Sequence, residues 1–182
     1  IGAIFSDAFA VGNNEAGGGG GKADIPSCMD VVRNIDTKTV TITFDNCSYR
    51  GVTRNGILHI SYTVPNIAQP RAVSVTITFD DYTHNNIQVE GTIVSEFGGT
   101  YLIPVIDVSS NDMKATFSDG KTITWSSDLT YKIKQGFGDG NLGTNVIELN
   151  GTTEGVNRDG ESYEATYSAV TVDRSCDTGY PV

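Results

Sequence analysis

From Thr39 onward, apolar and polar residues alternate with a period of two. Val40, Ile42 and Phe44 face one way, and Thr39, Thr41 and Thr43 face the other. Successive side chains of a strand point to opposite faces, and β-branched residues suit that pleated surface. The run therefore predicts a half-buried strand. Further runs follow: Leu58, Ile60 and Tyr62, then Val73, Val75, Ile77 and Phe79, then Ile87 and Val89, then Thr92 to Val94. The second half carries Met113, Ala115 and Phe117, then Ile123 and Trp125, then Leu129, Tyr131 and Ile133. Val146 to Asn150 and Tyr163, Ala165 and Tyr167 come next, and Val170 and Val172 lie on that last strand or a successor.

Turn residues punctuate these runs. Asn55-Gly56, Asn85-Asn86, Asp119-Gly120 and Asp159-Gly160 all tolerate or require positive φ. Pro65 and Pro70 bracket a loop, Gly136 to Gly143 form another, and Gly151 marks a bulge. No long stretch of the domain shows a 3.6-residue period. The predicted fold class is all-β, an antiparallel meander of serial hairpins. A curled sheet, a sandwich and an open β-roll all satisfy one apolar face per strand.

Thr-Ile-Thr-Phe-Asp occurs twice, at residues 41–45 and 76–80. Each copy reads as the end of a strand whose Asp caps a turn. Asp45 and the Asp80-Asp81 pair also invite a glycosidase reading. Repetition argues against it, because a catalytic pair needs two unlike environments.

Residues 1–27 break the pattern, leaving 28–182 as a single all-β domain. Ile1 to Val11 is apolar, and Ile1, Ile4, Phe5, Phe9 and Val11 are its candidate docking side chains. Ile1, Phe5 and Phe9 recur every four residues, as on a short amphipathic helix, though an extended strand also fits. Five glycines, Gly17 to Gly21, follow and form a flexible leash. An exposed apolar segment on a leash is an aggregation liability unless it docks. It is expected to dock on a neighbouring subunit or another partner by adding a strand to a sheet edge, or to pack back on its own domain. Head-to-tail use of such a contact builds a filament.

The net charge of -10 excludes a phosphate-binding surface, so neither nucleic acid nor anionic membrane is an expected partner. No apolar run approaches the length of a transmembrane helix. Ile1 follows neither a Met nor a charged region, so the chain reads as a mature or trimmed product. Of three cysteines, Cys28 and Cys47 are the candidate disulfide pair. Cys176 is either a free buried thiol or the partner of a cysteine outside the chain. A bridge would place the protein in an oxidising compartment.

Chemistry is sparse. His59 lies opposite Leu58 and Ile60 in its strand and reads as a solvent-face residue, and His84 adjoins a turn. No Ser or Cys stands in a nucleophile motif beside them. Gly136 to Gly143 offers too few oxygens for calcium. Gly17 to Gly21 lacks the Lys and Ser/Thr of a phosphate loop. No cofactor, metal or catalytic residue is expected. Eight tyrosines and Trp125 would suit a sugar- or lipid-contacting face, although strand aromatics also serve as core and cross-strand pairs.

A series of segments carries a resemblance: residues 40–47, 54–63, 89–92, 118–127 and 157–163, together with Ser6-Asp7-Ala8-Phe9. In this order they resemble uncharacterised lipoproteins of Bacteroidota over most of the chain. The resemblance implies export, attachment to the envelope through a lipidated N-terminal Cys, and no established activity. The lipid-bearing Cys is not in the numbered chain, so it is expected upstream of Ile1 or removed. Such proteins often continue past the position of Cys176 into a further strand pair with another Cys. The functional expectation is a non-enzymatic, exported surface protein with an assembly role. The alternative is a surface module that binds lipid or glycan.

Overall fold

The computed structural model describes residues 26–49, 51–63, 73–99, 103–136 and 145–173. The tail and its docking residues Ile1, Ile4, Phe5, Phe9 and Val11 lie outside the described residues, as do Cys176 and most of the 136–143 loop. The described residues form nine strands: β1 (Met29–Asn34), β2 (Thr39–Tyr49), β3 (Val52–Tyr62), β4 (Val73–His84), β5 (Ile87–Gly99), β6 (Pro104–Thr116), β7 (Thr122–Gln135), β8 (Val146–Val156) and β9 (Ser162–Asp173). They form one sheet in sequence order, every neighbouring pair antiparallel. The fold is the predicted all-β meander, but it is a single sheet and not a sandwich. It is not closed into a barrel: among the described residues β1 and β9 are its two edges.

One face of the sheet forms the core. Register places Val40, Ile60 and Ile77 in one row and Ile42, Leu58 and Phe79 in the next. Ile42, Leu58, Ile77, Ile93 and Met113 are almost completely buried. Each such side chain contributes about 1.5–3 kcal/mol through burial. Thr41, His59, Thr78 and Thr92 occupy the opposite face in register. The period of two thus sorts the chain into a core face and a polar face.

Asn55-Gly56 is not a turn. It lies in the middle of β3, and its register shift is matched by a bulge in each flanking strand. The repeated Thr-Ile-Thr-Phe-Asp does not end strands either. Both copies lie inside long strands, and each runs directly into a residue with positive φ, Asn46 at 45° and Asp81 at 47°. Asp112 at 50° repeats the device in β6, and Ala169 at 51° repeats it in β9. Asn and Asp reach this region more readily than other side chains. An extra residue here resets the alternation, so Phe44 and Cys47, three apart, are both buried. Turn-forming composition was therefore spent on bending strands.

Three of these bulges share a further feature. The backbone N–H of Asn46 donates to Asn55 Oδ1 at 2.6 Å. That of Asp112 donates to Ser126 Oγ at 3.4 Å, and that of Ala169 to Asn150 Oδ1 at 2.8 Å. A polar side chain from a neighbouring strand thus satisfies the donor that the bulge leaves out of the ladder. Gly56 completes the first site: a Cβ there would collide with the Asp81 carbonyl.

Other departures have similar causes. Ser126-Ser127-Asp128 separates two apolar runs, yet β7 passes through it as one strand of 14 residues. Ser127 turns inward and shares a hydrogen bond of 2.7 Å with buried Ser110. Phe117 belongs to the β6–β7 turn and not to a strand. β1 and the first half of β6 lack a sustained alternating run and were not predicted. The Asn85-Asn86 turn, with φ of 51° and 63°, forms as expected.

Candidate functional site

The two edges differ. β1 has six residues and is tied down by a disulfide between Cys28 and Cys47, the latter fully buried beside the β2 bulge. β9 has twelve residues, and among the described residues it pairs only with β8. A long unpaired edge offers a row of backbone donors and acceptors to another strand.

The inner face near that edge is incompletely covered. The buried cluster draws on β2 through β6, with partly buried side chains of β1 and β7 packed against it. No residue of β8 or β9 belongs to it. Ile147 pairs with Val172 and Leu149 with Val170, continuing the rows of Ile133 and Tyr131. All four aliphatics are only half-buried. Tyr167 follows on the same face, opposite Gly151. Burial, and secondarily the neighbouring Tyr167, pushes the Tyr131 phenol up from its ordinary pKa, so it stays neutral at physiological pH.

The turn end of the sheet is organised by charge. The turns 117–121 and 157–161 have matching backbone bonds: Phe117 N–H to Lys121 O at 2.9 Å, and Asn157 N–H to Glu161 O at 2.8 Å. Arg158 donates to Asp119 at 2.6 Å, and Lys121 donates to Asp159 at 3.2 Å, so each turn supplies one cation and one anion. The Arg158 guanidinium also lies 4.3 Å from the Phe117 ring centre. Arg158, and after it the Lys121 backbone N–H, holds the Asp119 carboxyl below the usual carboxylate range.

Beside this lock lies a cleft of about 490 Å³ across β6 to β9. Its lining includes Asp112, Lys114, Trp125, Glu154, Gly155 and Tyr163. Trp125, Gly155 and Tyr163 are in register on three successive strands. The cleft is mixed in character and not the apolar hollow that a lipid carrier requires.

The residues weighed for catalysis do not assemble. His59 Nε2 is 3.8 Å from Asp80 Oδ2, both exposed on the polar face. Asp45 and Asp80 stand on β2 and β4, with β3 between them. Arg54 is buried, with Nη1 donating to the Val52 carbonyl at 3.4 Å. Among the described residues no group of three or more His, Cys, Asp or Glu is placed to hold a metal. Among them, too, no helix is long and apolar enough to cross a membrane.

Sequence reading did not single out Ile147, Leu149, Val170 and Val172, because they alternate like core residues. Their exposure arises only from their place at the end of the sheet. Compared with known proteins, the chain matches no family model, no curated protein and no solved structure.

Proposed function

We propose that this chain is a non-enzymatic, exported surface or envelope protein with an assembly role, whose β9 edge accepts a strand from a protein partner. The carrying observation is the twelve-residue β9 edge joined to the half-buried row of Ile147, Leu149, Val170 and Val172. An added strand would extend the backbone ladder and lay alternate side chains over that row, the usual logic of strand addition. The N-terminal segment is the donor: Ile1 to Val11 matches the edge in length and supplies Ile1, Ile4, Phe5, Phe9 and Val11. Donated to a second copy, it links subunits head to tail.

The test is the assembly state of the full chain, of a variant lacking residues 1–16, and of Val170→Asp, by analytical ultracentrifugation and electron microscopy. The full chain is expected to self-associate, and both variants are expected to sediment as monomers. Unchanged association in both variants, with circular dichroism showing them folded, overturns the proposal. So does a monomeric full chain.

A further inference from the structure

Granted the strand donation proposed above, we infer that the donated segment is shared. It pairs with β9 of the acceptor on one side and with β1 of its own chain on the other, so that copies join in one unbroken antiparallel sheet.

Donation to β9 alone leaves edges behind. The added strand covers β9 but exposes its own far side. The donor's β1 is also unpaired on its outer side among the described residues. Each junction would therefore keep two open edges, and open edges invite uncontrolled pairing. Pairing them with each other removes both.

Strand direction permits this with one inserted strand. Nine strands, each antiparallel to its neighbours, leave β1 and β9 running the same way. A direct contact between β9 of one copy and β1 of the next would be parallel within a common sheet. A single strand running the opposite way is antiparallel to both.

The β1 edge is open to such a strand. Among the described residues, β1–β2 is the one strand pair whose register runs without a shift. The Asp45 N–H donates to the Cys28 carbonyl at 3.0 Å. By alternation Asp30, Val32 and Asn34 address β2, while Met29, Val31 and Arg33 direct their backbone groups outward. The Met29 N–H is taken by the Pro26 carbonyl at 2.9 Å, so the outward ladder starts at Val31. β1 contains no Pro, Lys or bulge to blunt it. On β9 the bond from the Asn157 N–H to the Glu161 carbonyl sets the alternation, and Ser162, Glu164 and Thr166 point outward.

The segment suits a strand with a neighbour on each side. With a period of two, Ile1, Ala3, Phe5, Phe9 and Val11 share one face with Asp7, and Gly2, Ser6, Ala8 and Ala10 share the other with Ile4. The first face extends the inner rows on both sides. These are Val170 and Val172 of the acceptor, and Met29 and Val31 of the donor, the latter two partly buried against the core cluster. Residues 12–27, with their run of glycines, connect Val11 to Cys28 and let the segment turn back along β1.

Hydrogen exchange, read amide by amide, compares the assembled full chain with the variant lacking residues 1–16. The Val31 and Thr166 amides should both exchange at least about tenfold more slowly in the full chain, as new ladder bonds require. Slowing at Thr166 with Val31 unchanged overturns sharing and leaves donation to β9 standing. Slowing at neither site removes the donation, and sharing with it. Val31→Pro deletes an outward N–H without touching the β1–β2 ladder, and Val31→Ala loses the same packing but keeps the N–H. By sedimentation, Val31→Pro should self-associate about five- to tenfold more weakly than Val31→Ala. Equal association of the two variants, both folded by circular dichroism, overturns the inference. If Val31→Pro does not fold, exchange at Val31 in the parent chain decides alone.

Discussion

Reduction of the Cys28–Cys47 bridge should destabilise the domain by an amount set by the loop it closes. The two residues are 19 apart in sequence. Releasing such a loop restores chain entropy to the unfolded state worth about 3 kcal/mol at 25 °C. The folded state should change little, because β1 keeps six register pairs with β2 and Cys47 stays enclosed as a small apolar thiol. Urea unfolding with and without reductant measures the difference. With a urea dependence of roughly 2 kcal/mol per molar, the midpoint should fall by about 1.5 M. Cys28→Ala without reductant should match the reduced parent, and adding reductant to that variant should change nothing. Hydrogen exchange should locate the loosening at Met29–Asn34, the strand that the bridge ties down. A loss below about 1 kcal/mol, or a further loss when Cys28→Ala is reduced, would refute the reasoning.

Three other perturbations probe the bends, the buried hydroxyls and the turn lock. Gly56→Ala places a methyl against the Asp81 carbonyl at a φ of +88°; a loss above about 2 kcal/mol is expected, and a melting temperature within a degree of the parent would contradict the bulge assignment. Ser110→Ala strands the buried Ser127 hydroxyl that it meets at 2.7 Å and should cost about 1–3 kcal/mol. The double variant Ser110→Ala/Ser127→Ala should be more stable than Ser110→Ala alone in chemical denaturation, and the reverse order would show that the pair is not the relevant unit. Asp119 has its folded pKa depressed by Arg158, so its contribution is present above the ordinary carboxylate value and is lost as pH falls through the lowered one. Melting curves between pH 5 and pH 2, roughly the span of such a titration, should therefore steepen less in Arg158→Ala than in the parent; equal slopes would remove the ion pair from the account.

Much of this architecture was legible in the chain. The rows of Val40, Ile42 and Phe44 and of Val75, Ile77 and Phe79 announce a core face by alternation alone. Asn85-Asn86, Asp119-Gly120 and Asp159-Gly160 announce turns because few residues accept positive φ. The same chemistry misleads at Asn55-Gly56 and at the two Thr-Ile-Thr-Phe-Asp copies. A bulge and a turn make the same local demand, and only the pairing partner distinguishes them. Asn55 reveals its role when its side chain meets the Asn46 N–H across the sheet.

Local periodicity thus determined the class of fold, the order of most strands and the side of each strand that faces the core. These depend on residues two apart, which the chain itself holds in place. Tertiary structure alone decided which apolar rows are covered. Ile77 and Val170 alternate in the same way, yet one is buried on β4, near the middle of the sheet, and the other is half-exposed on the β9 edge. Burial depends on how many strands lie on either side, and no short window of sequence contains that count. The cleft has the same origin: Trp125, Gly155 and Tyr163 span 39 positions and meet only because three strands pair in one register.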